Sequence, residues 1–241
     1  MKIVAIIPCR YNSKRFPGKS LALINGFPIM WHVYNQSMKS KFVQESYIAT
    51  DDKRIKKKCD ELEINCLMTS KKHHNGTERI AECVKKIHAD IYVNVQGDEP
   101  MISPQSIDKV VKGLVNIKDK NILATNAFHL IKEKKEIFDT NVIKTIFDKK
   151  LNALAFSRNP IPYSKDTKQN FWRQIGLYAF KKNGLILFSK MKPGPLELIE
   201  TVEMYRLIEN SYKIKMIKVN DVSKSVDNLK DLKEVRRLMK I

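Results

Sequence analysis

The feature that most constrains the fold is an alternation of short apolar runs, typical of buried strands, with longer amphipathic segments, typical of helices. The predicted strands are residues 3–8, 46–50, 91–95, 122–127, 142–147 and 153–157. The predicted helices between the early strands are residues 28–39, 52–61, 77–89 and 104–115. Strands separated by helices form parallel sheets through right-handed crossovers. The alternation therefore predicts an α/β fold with a mostly parallel sheet.

The alternation changes after about residue 150. The sequence Asn-Pro-Ile-Pro at residues 159–162 breaks regular structure, and residues 164–170 are predicted to form a polar loop. Beyond this loop the pattern predicts a strand at 175–180, a helix at 196–211, a strand at 213–219 and a helix at 229–239. No repeat, low-complexity linker or composition shift divides the sequence, so we predict a single domain over residues 1–241.

The charge of the chain is strongly positive. Its 241 residues include 45 Lys and Arg against 26 Asp and Glu, a formal net charge of +19. This excess raises the alternative of a non-enzymatic polyanion-binding protein. However, the lysines are spread over the whole length, with no RNA-binding aromatic motif and no zinc-finger pattern, so we expect no nucleic-acid partner.

Membrane and export signals are not evident in the sequence. No apolar stretch approaches the ~20 residues of a membrane span, and the short N-terminal apolar run lacks a basic leader. We therefore expect a cytoplasmic protein. The four cysteines show neither Cys-x-x-Cys pairing nor a companion His at zinc spacing, so reduced thiols are expected.

A basic loop follows the first predicted strand. Residues 8–19 read Pro-Cys-Arg-Tyr-Asn-Ser-Lys-Arg-Phe-Pro-Gly-Lys and contain four cations. Ligands of open α/β sheets bind at the carboxyl ends of strands, and Arg and Lys with the Ser13 hydroxyl suit phosphate oxygens there. The loop has neither the Walker spacing nor the paired glycines of a dinucleotide fingerprint, which disfavours P-loop ATPases and nicotinamide enzymes. A polyphosphate site and a solvated loop without ligand both remain open.

An acidic turn follows the predicted strand at 91–95. Residues 94–100 read Asn-Val-Gln-Gly-Asp-Glu-Pro, which places Asp98 at the same sheet edge as the basic loop. A carboxylate among phosphate-binding cations indicates a shared Mg2+, whereas the alternative is an ordinary Gly-Asp turn. Asp227, ahead of the last predicted helix, is either a helix cap or a second carboxylate for the metal.

A segment of small polar residues precedes the predicted helix at 77–89. Gly76 and its polar neighbours let backbone groups approach a base or a ribose, and Arg79 on the first helical turn is placed to reach into a cleft. His73 and His74 are interpreted as loop residues, because no third metal ligand accompanies them.

Five stretches together resemble the 3-deoxy-manno-octulosonate cytidylyltransferase family, also called CMP-Kdo synthetases. They are residues 8–19, 76–79 (Gly-Thr-Glu-Arg), 94–100, 156–158 (Phe-Ser-Arg) and 195–197 (Pro-Leu-Glu). The resemblance covers essentially the whole chain. It implies a Rossmann-like fold of the nucleotide-diphospho-sugar transferase type, a homodimer, CTP and Mg2+, and an acidic ulosonic sugar as acceptor. The implied product is a CMP-sugar for lipopolysaccharide or capsule.

The resemblance also implies the roles of particular residues. The catalytic set is Arg10, Arg15, Lys19 and Asp98. The nucleotide-binding set is Pro8, Cys9, Arg10, Ser13, Arg15, Lys19, Asn75, Gly76 and Thr77. The sugar-binding set is Arg79, Gln96, Arg158, Gln174, Tyr178 and Glu203, and the metal ligands are Asp98 and Asp227. Residues 150–211 would provide a dimerisation arm and part of the sugar pocket.

The chain departs from the family pattern at a few positions. The family usually has Ala at Cys9, Ser at Asn75, His at Gln174 and Gln at Met204. The last two changes alter which hydroxyl or amine the sugar pocket can satisfy, so 8-amino-Kdo or a nine-carbon acid is an alternative acceptor. Cys9 beside the basic loop predicts inhibition by a bulky thiol reagent and protection by CTP. A sugar-1-phosphate nucleotidyltransferase is disfavoured, because residues 8–19 contain only Gly18 and not a Gly-rich opening.

Overall fold

The computed structural model of the chain describes residues 1–13, 15–165, 169–220 and 223–239. The chain divides into two compact units, of which unit 1 comprises residues 1–108 and 221–241 and unit 2 comprises residues 109–220. Lys14 of the basic loop and residues 166–168 of the predicted polar loop lie outside the described residues.

Unit 1 contains a parallel sheet. The strands of unit 1 are β1 (Ile3–Cys9), β2 (Leu23–Ile24), β3 (Phe27–Pro28), β4 (Glu45–Thr50), β5 (Cys66–Met68) and β6 (Ile91–Val95). The short strands β2 and β3 form a separate antiparallel hairpin. β1 pairs in parallel with both β4 and β6, and β4 pairs in parallel with β5. The side chains of residues 3–7 are almost fully buried, because a parallel strand in the middle of a sheet is covered on both faces.

The helices of unit 1 connect these strands. They are α1 (Ile29–Met38), α2 (Lys53–Glu61) and α3 (Gly76–Cys83), with α4 (Pro104–Val115) crossing the boundary between the units. Asp52 caps α2 and Asn75 caps α3, each by accepting a hydrogen bond from a first-turn amide. A C-terminal helix, Leu229–Leu238, completes the unit and begins with a capping box formed by Asn228 and Asp231.

Unit 2 combines parallel and antiparallel pairing. Its strands are β7 (Ile122–Leu130), β8 (Lys144–Phe147), β9 (Ala153–Ser157), β10 (Trp172–Lys181) and β11 (Lys213–Lys218). Its helices are α5 (Lys134–Phe138), α6 (Lys182–Lys190), α7 (Pro195–Glu200) and α8 (Tyr205–Glu209), so that the C-terminal helix of unit 1 is α9. β11 is parallel to β7, whereas the pairs β7 with β10, β10 with β8 and β8 with β9 are antiparallel.

The α/β prediction is confirmed, and two of its helices are corrected. The helix predicted at 77–89 ends at Cys83, because the Tyr92 hydroxyl donates to the Ile87 carbonyl and accepts from the Ala89 amide, which holds a turn there. The helix predicted at 196–211 is two helices, interrupted at Thr201. The sequence pattern missed β5, α5 and α6, which are short or rich in lysine.

No helix in the described part of the chain combines the length and the apolar character that crossing a membrane requires.

Candidate active site

The basic loop that leaves β1 folds around one carbonyl group. The Tyr11 carbonyl accepts hydrogen bonds from the Ser13 amide at 2.9 Å and from the Gly18 amide at 2.7 Å. Gly18 has a φ of 70°, in the left-handed region, and a Cβ there would lie 3.2 Å from the Tyr11 ring. Glycine is therefore needed for the turn that returns Lys19 to the sheet edge.

Arg54 of α2 contacts this loop from the side. Its guanidinium carbon lies 3.2 Å from the centroid of the Tyr11 ring, a cation–π contact. The same guanidinium donates to Asp52 at 2.9 Å through Nε and at 2.7 Å through NH2. The hydrogen bonds from Arg54 lower the pKa of Asp52 to about 2. Sequence analysis did not identify Arg54, which lies in a lysine-rich helix with no distinguishing motif.

Lys19 joins two carboxylates from distant parts of the chain. Its Nζ lies 2.5 Å from Asp98 Oδ2 and 3.1 Å from Asp227 Oδ1. Arg15 NH2 lies 2.8 Å from the same Asp227 oxygen. Burial acts to lower the pKa of Lys19, but the attraction of Asp98 and Asp227 outweighs it and raises that pKa. Unit 1 thus gathers Lys19, Arg15, Asp98 and Asp227 in a single charge cluster.

Asp227 reaches this cluster because the segment before α9 returns to β6. The Val226 amide donates to the Asp98 carbonyl at 2.8 Å, which ties this segment to the end of the strand. The interpretation of Asp227 as a helix cap is wrong, because Asn228 caps α9 by accepting from the amides of residues 230 and 231. The Asp227 side chain is left to pair with Lys19 and Arg15.

The glycine before Asp98 permits a close approach of two strands. A Cβ on Gly97 would lie 2.7 Å from Cys9 Sγ and 2.7 Å from the Pro8 carbonyl oxygen. Cys9 itself is 1% exposed, and burial raises the pKa of its thiol to about 12. Burial therefore argues against the expected reaction of Cys9 with a bulky reagent, since the nucleophile is the thiolate and the thiol is enclosed.

The segment before α3 is ordered largely by its own polar side chains. The Asn75 side chain accepts from the Glu78 amide at 2.8 Å, and the buried Thr77 hydroxyl accepts from Asn94 Nδ2 at 3.1 Å. Both side chains form hydrogen bonds within unit 1. A ligand at the start of α3 would therefore meet Gly76 and backbone groups. Gly76 also lies against Pro8, where an added Cβ would meet the proline ring at 3.2 Å.

Glu82 of α3 holds the same segment in place. Its carboxylate accepts from the Ser70 amide at 2.8 Å and contacts His73 Nε2 at 2.7 Å, and Lys86 Nζ lies 3.1 Å away. Burial alone would raise the pKa of Glu82, but these hydrogen bonds outweigh burial and lower the pKa to about 2. His73 therefore has a loop-ordering contact, in agreement with its interpretation as a loop residue.

Arg79 differs from the expectation of an exposed position in a cleft. Its side chain is fully buried, and NH1 donates to the Thr69 hydroxyl while NH2 lies 3.3 Å from Asp51 Oδ2. In this conformation Arg79 supports the segment around Thr69 from within unit 1. Gln96, also expected to bind sugar, is half-buried at the end of β6.

In unit 2, three residues of the expected sugar set form a polar cluster with Asn126. Gln174 Nε2 donates to Asn126 Oδ1 at 2.9 Å and lies 3.5 Å from the Tyr178 hydroxyl. The register between β7 and β10 shifts between Gln174 and Tyr178, and Asn126 Nδ2 donates there to the carbonyls of residues 175 and 177. Burial, with a smaller contribution from Glu203, raises the pKa of Tyr178 well above its usual value. Sequence analysis missed Asn126, which lies inside an otherwise apolar strand.

Met204, which replaces the usual glutamine of the family, is fully buried and immediately precedes α8. Its thioether is therefore part of the core of unit 2.

Arg158, at the end of β9, is held by neutral oxygen atoms. Its Nε donates to the Glu200 carbonyl at 2.9 Å, NH1 to the Thr140 carbonyl at 2.9 Å, and NH2 to the Thr201 hydroxyl at 2.8 Å. The Glu200 carboxylate accepts from the Arg158 backbone amide at 2.9 Å. Lys144 Nζ, buried in unit 2, donates to the Arg158 carbonyl as well as to two other carbonyls. Among the described residues, no carboxylate forms an ion pair with the Arg158 guanidinium.

Among the residues that the structure describes, no three His, Cys, Asp or Glu side chains are grouped so that they could hold a metal ion. The carboxylates of Asp98 and Asp227 nevertheless lie close enough to share one ammonium group. Carboxylate oxygens, one or two at a time, are the protein ligands that Mg2+ takes when phosphate oxygens and water complete its shell. The pair therefore fits a magnesium ion bound together with a phosphate ligand.

Comparison with protein families and with relatives gives consistent results. Residues 4–218 match the family model described as cytidylyltransferase. A 3-deoxy-manno-octulosonate cytidylyltransferase of Geobacter metallireducens is 39% identical, covering 98% of this chain and 96% of the relative. The protein of the same name in Chlorobium phaeobacteroides is 38% identical, covering 100% of this chain and 98% of the relative.

A solved structure agrees with these relatives. The CMP:2-keto-3-deoxy-manno-octonic acid synthetase complexed with CTP superposes with a TM-score of 0.92 at 33% identity, covering 99% of this chain and 98% of that chain. A cytidylyltransferase of Leptospira borgpetersenii, at 18% identity and a TM-score of 0.64 over 98% of this chain and 85% of that one, shares the fold.

Proposed function

Because the chain belongs to the 3-deoxy-manno-octulosonate cytidylyltransferase family of nucleotidyltransferases, we propose that it transfers the cytidylyl group of CTP to 3-deoxy-manno-octulosonate (Kdo). The products are CMP-Kdo, a precursor for lipopolysaccharide or capsule, and pyrophosphate. The observation that carries this proposal is the charge cluster of Lys19, Arg15, Asp98 and Asp227, which combines cations for a triphosphate with carboxylates for a metal.

The transfer needs positioning and charge neutralisation more than covalent chemistry. The anomeric hydroxyl of the sugar forms a bond to the α-phosphorus of CTP, the bond from that phosphorus to the bridging oxygen breaks, and the hydroxyl proton leaves to solvent. Arg10, Arg15 and Lys19, with the Ser13 hydroxyl, bind the phosphates in this proposal. The first turn of α3 at Gly76 offers backbone amides to the nucleoside.

Asp98 and Asp227 would hold Mg2+. The ion would neutralise charge on the triphosphate and acidify a hydroxyl bound to it. Binding of metal and nucleotide there would release Lys19 and Arg15 from the two carboxylates and make them available to the phosphates. One set of ion pairs would therefore replace another, so that neither the cations nor the carboxylates at the end of β6 would be left unpaired.

The residues of unit 2 are assigned to the acceptor. Arg158 suits the carboxylate of an acidic sugar, since a guanidinium fork matches two carboxylate oxygens. Gln174, Tyr178 and Glu203 suit sugar hydroxyl groups. We propose that the whole chain acts as one cytidylyltransferase domain and that it works in the cytoplasm, where CTP is available.

Gln174 is the reason to test the identity of the acid. The side-chain amide of Gln174 donates to Asn126. This amide is neutral, whereas the family usually has a titratable imidazole at the same position. An acceptor with an amine or a longer chain, such as 8-amino-Kdo or a nine-carbon acid, is the second candidate.

Pyrophosphate release tests the function directly. Enzyme, CTP and Mg2+ are incubated in parallel with Kdo, 8-amino-Kdo, N-acetylneuraminate and a sugar 1-phosphate. We expect release with Kdo; release only with another acid would move the assignment to that acid. Steep salt-dependent RNA binding without saturable CTP binding would instead favour the polyanion-binding alternative.

We also propose a homodimer formed through residues 150–211. Several apolar side chains of this segment are exposed in the single chain, namely Leu154 (54%), Leu196 (45%), Leu198 (66%) and Ile199 (77%). Exposed apolar groups this close together on α7 and β9 suit a second copy of the chain. Light scattering should give the mass of a dimer for the wild type and of a monomer for Leu198→Asp with Ile199→Asp. A wild-type monomer would refute the dimer and leave the transfer reaction untouched.

A further inference from the structure

Thr201 interrupts the helical segment of residues 195–209 in an unusual conformation. Its φ of 53° and ψ of 41° lie in the left-handed region, which is sterically unfavourable for a β-branched residue. Glycine or asparagine is the usual occupant of such a position at the end of a helix. The unfavourable backbone conformation of Thr201 must be offset by a stabilising contact, and its hydroxyl forms one.

The interruption frees a backbone carbonyl. In a continuous helix the Glu200 carbonyl would accept from the amide of residue 204. Because α7 ends at Glu200, this carbonyl instead accepts from Arg158 Nε at 2.9 Å and from the Thr201 hydroxyl at 2.7 Å. The end of the helix has become an acceptor for a side chain on β9.

The Thr201 hydroxyl completes the contact. Its oxygen accepts from Arg158 NH2 at 2.8 Å and from Nε at 3.2 Å, while the Thr140 carbonyl accepts from NH1. A guanidinium has five N–H groups, and these contacts occupy the one on Nε and one each on NH1 and NH2. One N–H group on each terminal nitrogen therefore has no partner among the described residues. Each terminal nitrogen therefore keeps one donor that an acceptor oxygen can use.

The two helices that carry Thr201 are fixed to each other. Glu197 of α7 and Arg206 of α8 form a buried pair through two hydrogen bonds of 2.7 and 2.6 Å. The Glu209 carboxylate accepts from the Leu196 amide at 2.9 Å, at the start of α7. These contacts hold α7 and α8 together, and Thr201 lies between them. The position of its hydroxyl is therefore well defined.

We propose that Thr201 is a positioning residue for the acidic acceptor. Its left-handed backbone and its hydroxyl hold the Arg158 guanidinium so that two N–H groups stay available for the carboxylate of the sugar. This inference rests on the proposed function, because it requires an acidic acceptor that binds Arg158. It applies equally to Kdo and to the other candidate acids.

Two substitutions separate the hydroxyl from the backbone. Thr201→Gly favours the left-handed conformation and removes the hydroxyl, whereas Thr201→Ser keeps the hydroxyl. Ser211→Gly is a matched control, because Ser211 is an exposed residue of unit 2 with a φ of 64° and no contact with Arg158. We expect Thr201→Gly to raise the KM for the acid about tenfold, as for one lost hydrogen bond to a charged group, with the KM for CTP within about twofold of wild type. Thr201→Ser and Ser211→Gly should match the wild type in both constants.

A purely structural role predicts different kinetics. It would lower kcat or the melting temperature and would change both KM values together. An unchanged KM for the acid in Thr201→Gly, in an enzyme that releases pyrophosphate, overturns the inference and leaves the proposed function standing.

A second readout does not depend on activity. In protein with 15N-labelled arginine, the Nε–H signal of Arg158, assigned from its loss in Arg158→Gln, should exchange slowly with solvent in the wild type and at least about tenfold faster in Thr201→Gly. If no acid supports pyrophosphate release from CTP, the proposed function is refuted, and the effect of Thr201 on Arg158 is still tested by the exchange rates. Equal exchange rates in the two proteins would overturn the positioning role, whatever the acceptor.

Discussion

The charge cluster of unit 1 and Arg158 of unit 2 hold their cations in opposite ways. In unit 1, Lys19 and Arg15 contact the carboxylates of Asp98 and Asp227, so each cation already has an anionic partner. In unit 2, the Arg158 guanidinium contacts two carbonyls and a hydroxyl, all of them neutral. A phosphate that binds Lys19 must displace a carboxylate, whereas a carboxylate that binds Arg158 displaces no other anion.

The difference separates two kinds of binding energy. The proposed exchange of ion pairs in unit 1 would couple nucleotide binding to metal binding, since the metal would take the carboxylates that the cations release. Preorganisation in unit 2 lowers the ordering cost that a flexible arginine would otherwise incur on binding its ligand. Substitutions should therefore have metal-dependent effects in unit 1 and geometry-dependent effects in unit 2.

The largest effect is expected for Asp98→Asn. The change removes a proposed metal ligand and the nearest partner of Lys19, so kcat for pyrophosphate release should fall about 1000-fold. The Asp98 side chain is 22% exposed and does not cap a helix, so the melting temperature should change little. Asp60→Asn, at an exposed position of α2, serves as the control. Activity of Asp98→Asn within tenfold of wild type would remove Asp98 from the mechanism.

Lys19→Met tests the exchange of ion pairs. Loss of one charged hydrogen bond to the triphosphate should lower kcat/KM for CTP about 100-fold. Without nucleotide, however, Mg2+ should bind this variant more tightly than the wild type, because Asp98 and Asp227 no longer share an ammonium. Calorimetric titration with MgCl2 measures this, with the exposed Lys57→Met of α2 as control. Weaker Mg2+ binding by Lys19→Met would contradict the exchange.

Arg158→Lys tests the preorganised fork in unit 2. Lysine keeps the charge and loses the planar geometry, so the KM for the acidic sugar should rise about tenfold while the KM for CTP stays constant. The effect should be the same at low and high Mg2+, unlike that of Lys19→Met. An unchanged KM for the acid would show that charge alone is sufficient at this position.

Arg54→Met should have a smaller effect on unit 1. The loss of the exposed cation–π contact should raise the KM for CTP about threefold by loosening the loop at Tyr11. Lys53→Met on the same helix changes the net charge equally and has no such contact. Equal effects of the two substitutions would indicate that only net charge matters.

The smallest effect is a change in acid stability at Glu82. Its folded pKa of about 2 lies below the unfolded value of about 4.3, so its contribution to the free energy of unfolding is complete above pH ~4.3 and is lost as the pH falls towards 2. Glu82→Gln should therefore make stability less dependent on pH between about 4.5 and 2. Urea unfolding at a series of pH values measures this slope, and the exposed Glu63→Gln should leave it unchanged. A steeper slope in Glu82→Gln would contradict the assignment.

Much of unit 1 is predictable from local patterns. The apolar runs at β1 and β6 end next to the basic loop and Asp98, and parallel strands bring their carboxyl ends to one edge, so the pairing of Lys19 with Asp98 follows from the order of elements. Asp227 is harder to assign from sequence, because a residue before a helix often caps it, whereas here Asn228 caps α9 and the Val226 contact brings Asp227 to the end of β6.

Unit 2 was less predictable because its features depend on tertiary contacts. The spacing of Leu196, Ile199, Val202 and Tyr205 matches a single helix, yet Val202 and Tyr205 are buried while Leu196 and Ile199 are exposed. The left-handed Thr201 has no local signal such as glycine, since its conformation is offset by Arg158 more than forty residues earlier in the chain. Arg54 in unit 1 shows the same difficulty, since one cation in a basic helix looks like any other.

The return of Asp227 to the end of β6 also has a consequence for how the enzyme is made. Lys19 and Asp227 are 208 residues apart. A growing chain contains Lys19 and Asp98 long before it contains Asp227, so the second carboxylate is the last member to join the charge cluster. A truncated chain that stops before Asp227 would keep Lys19, Arg15 and Asp98 and would lack one of the two carboxylates that these cations contact.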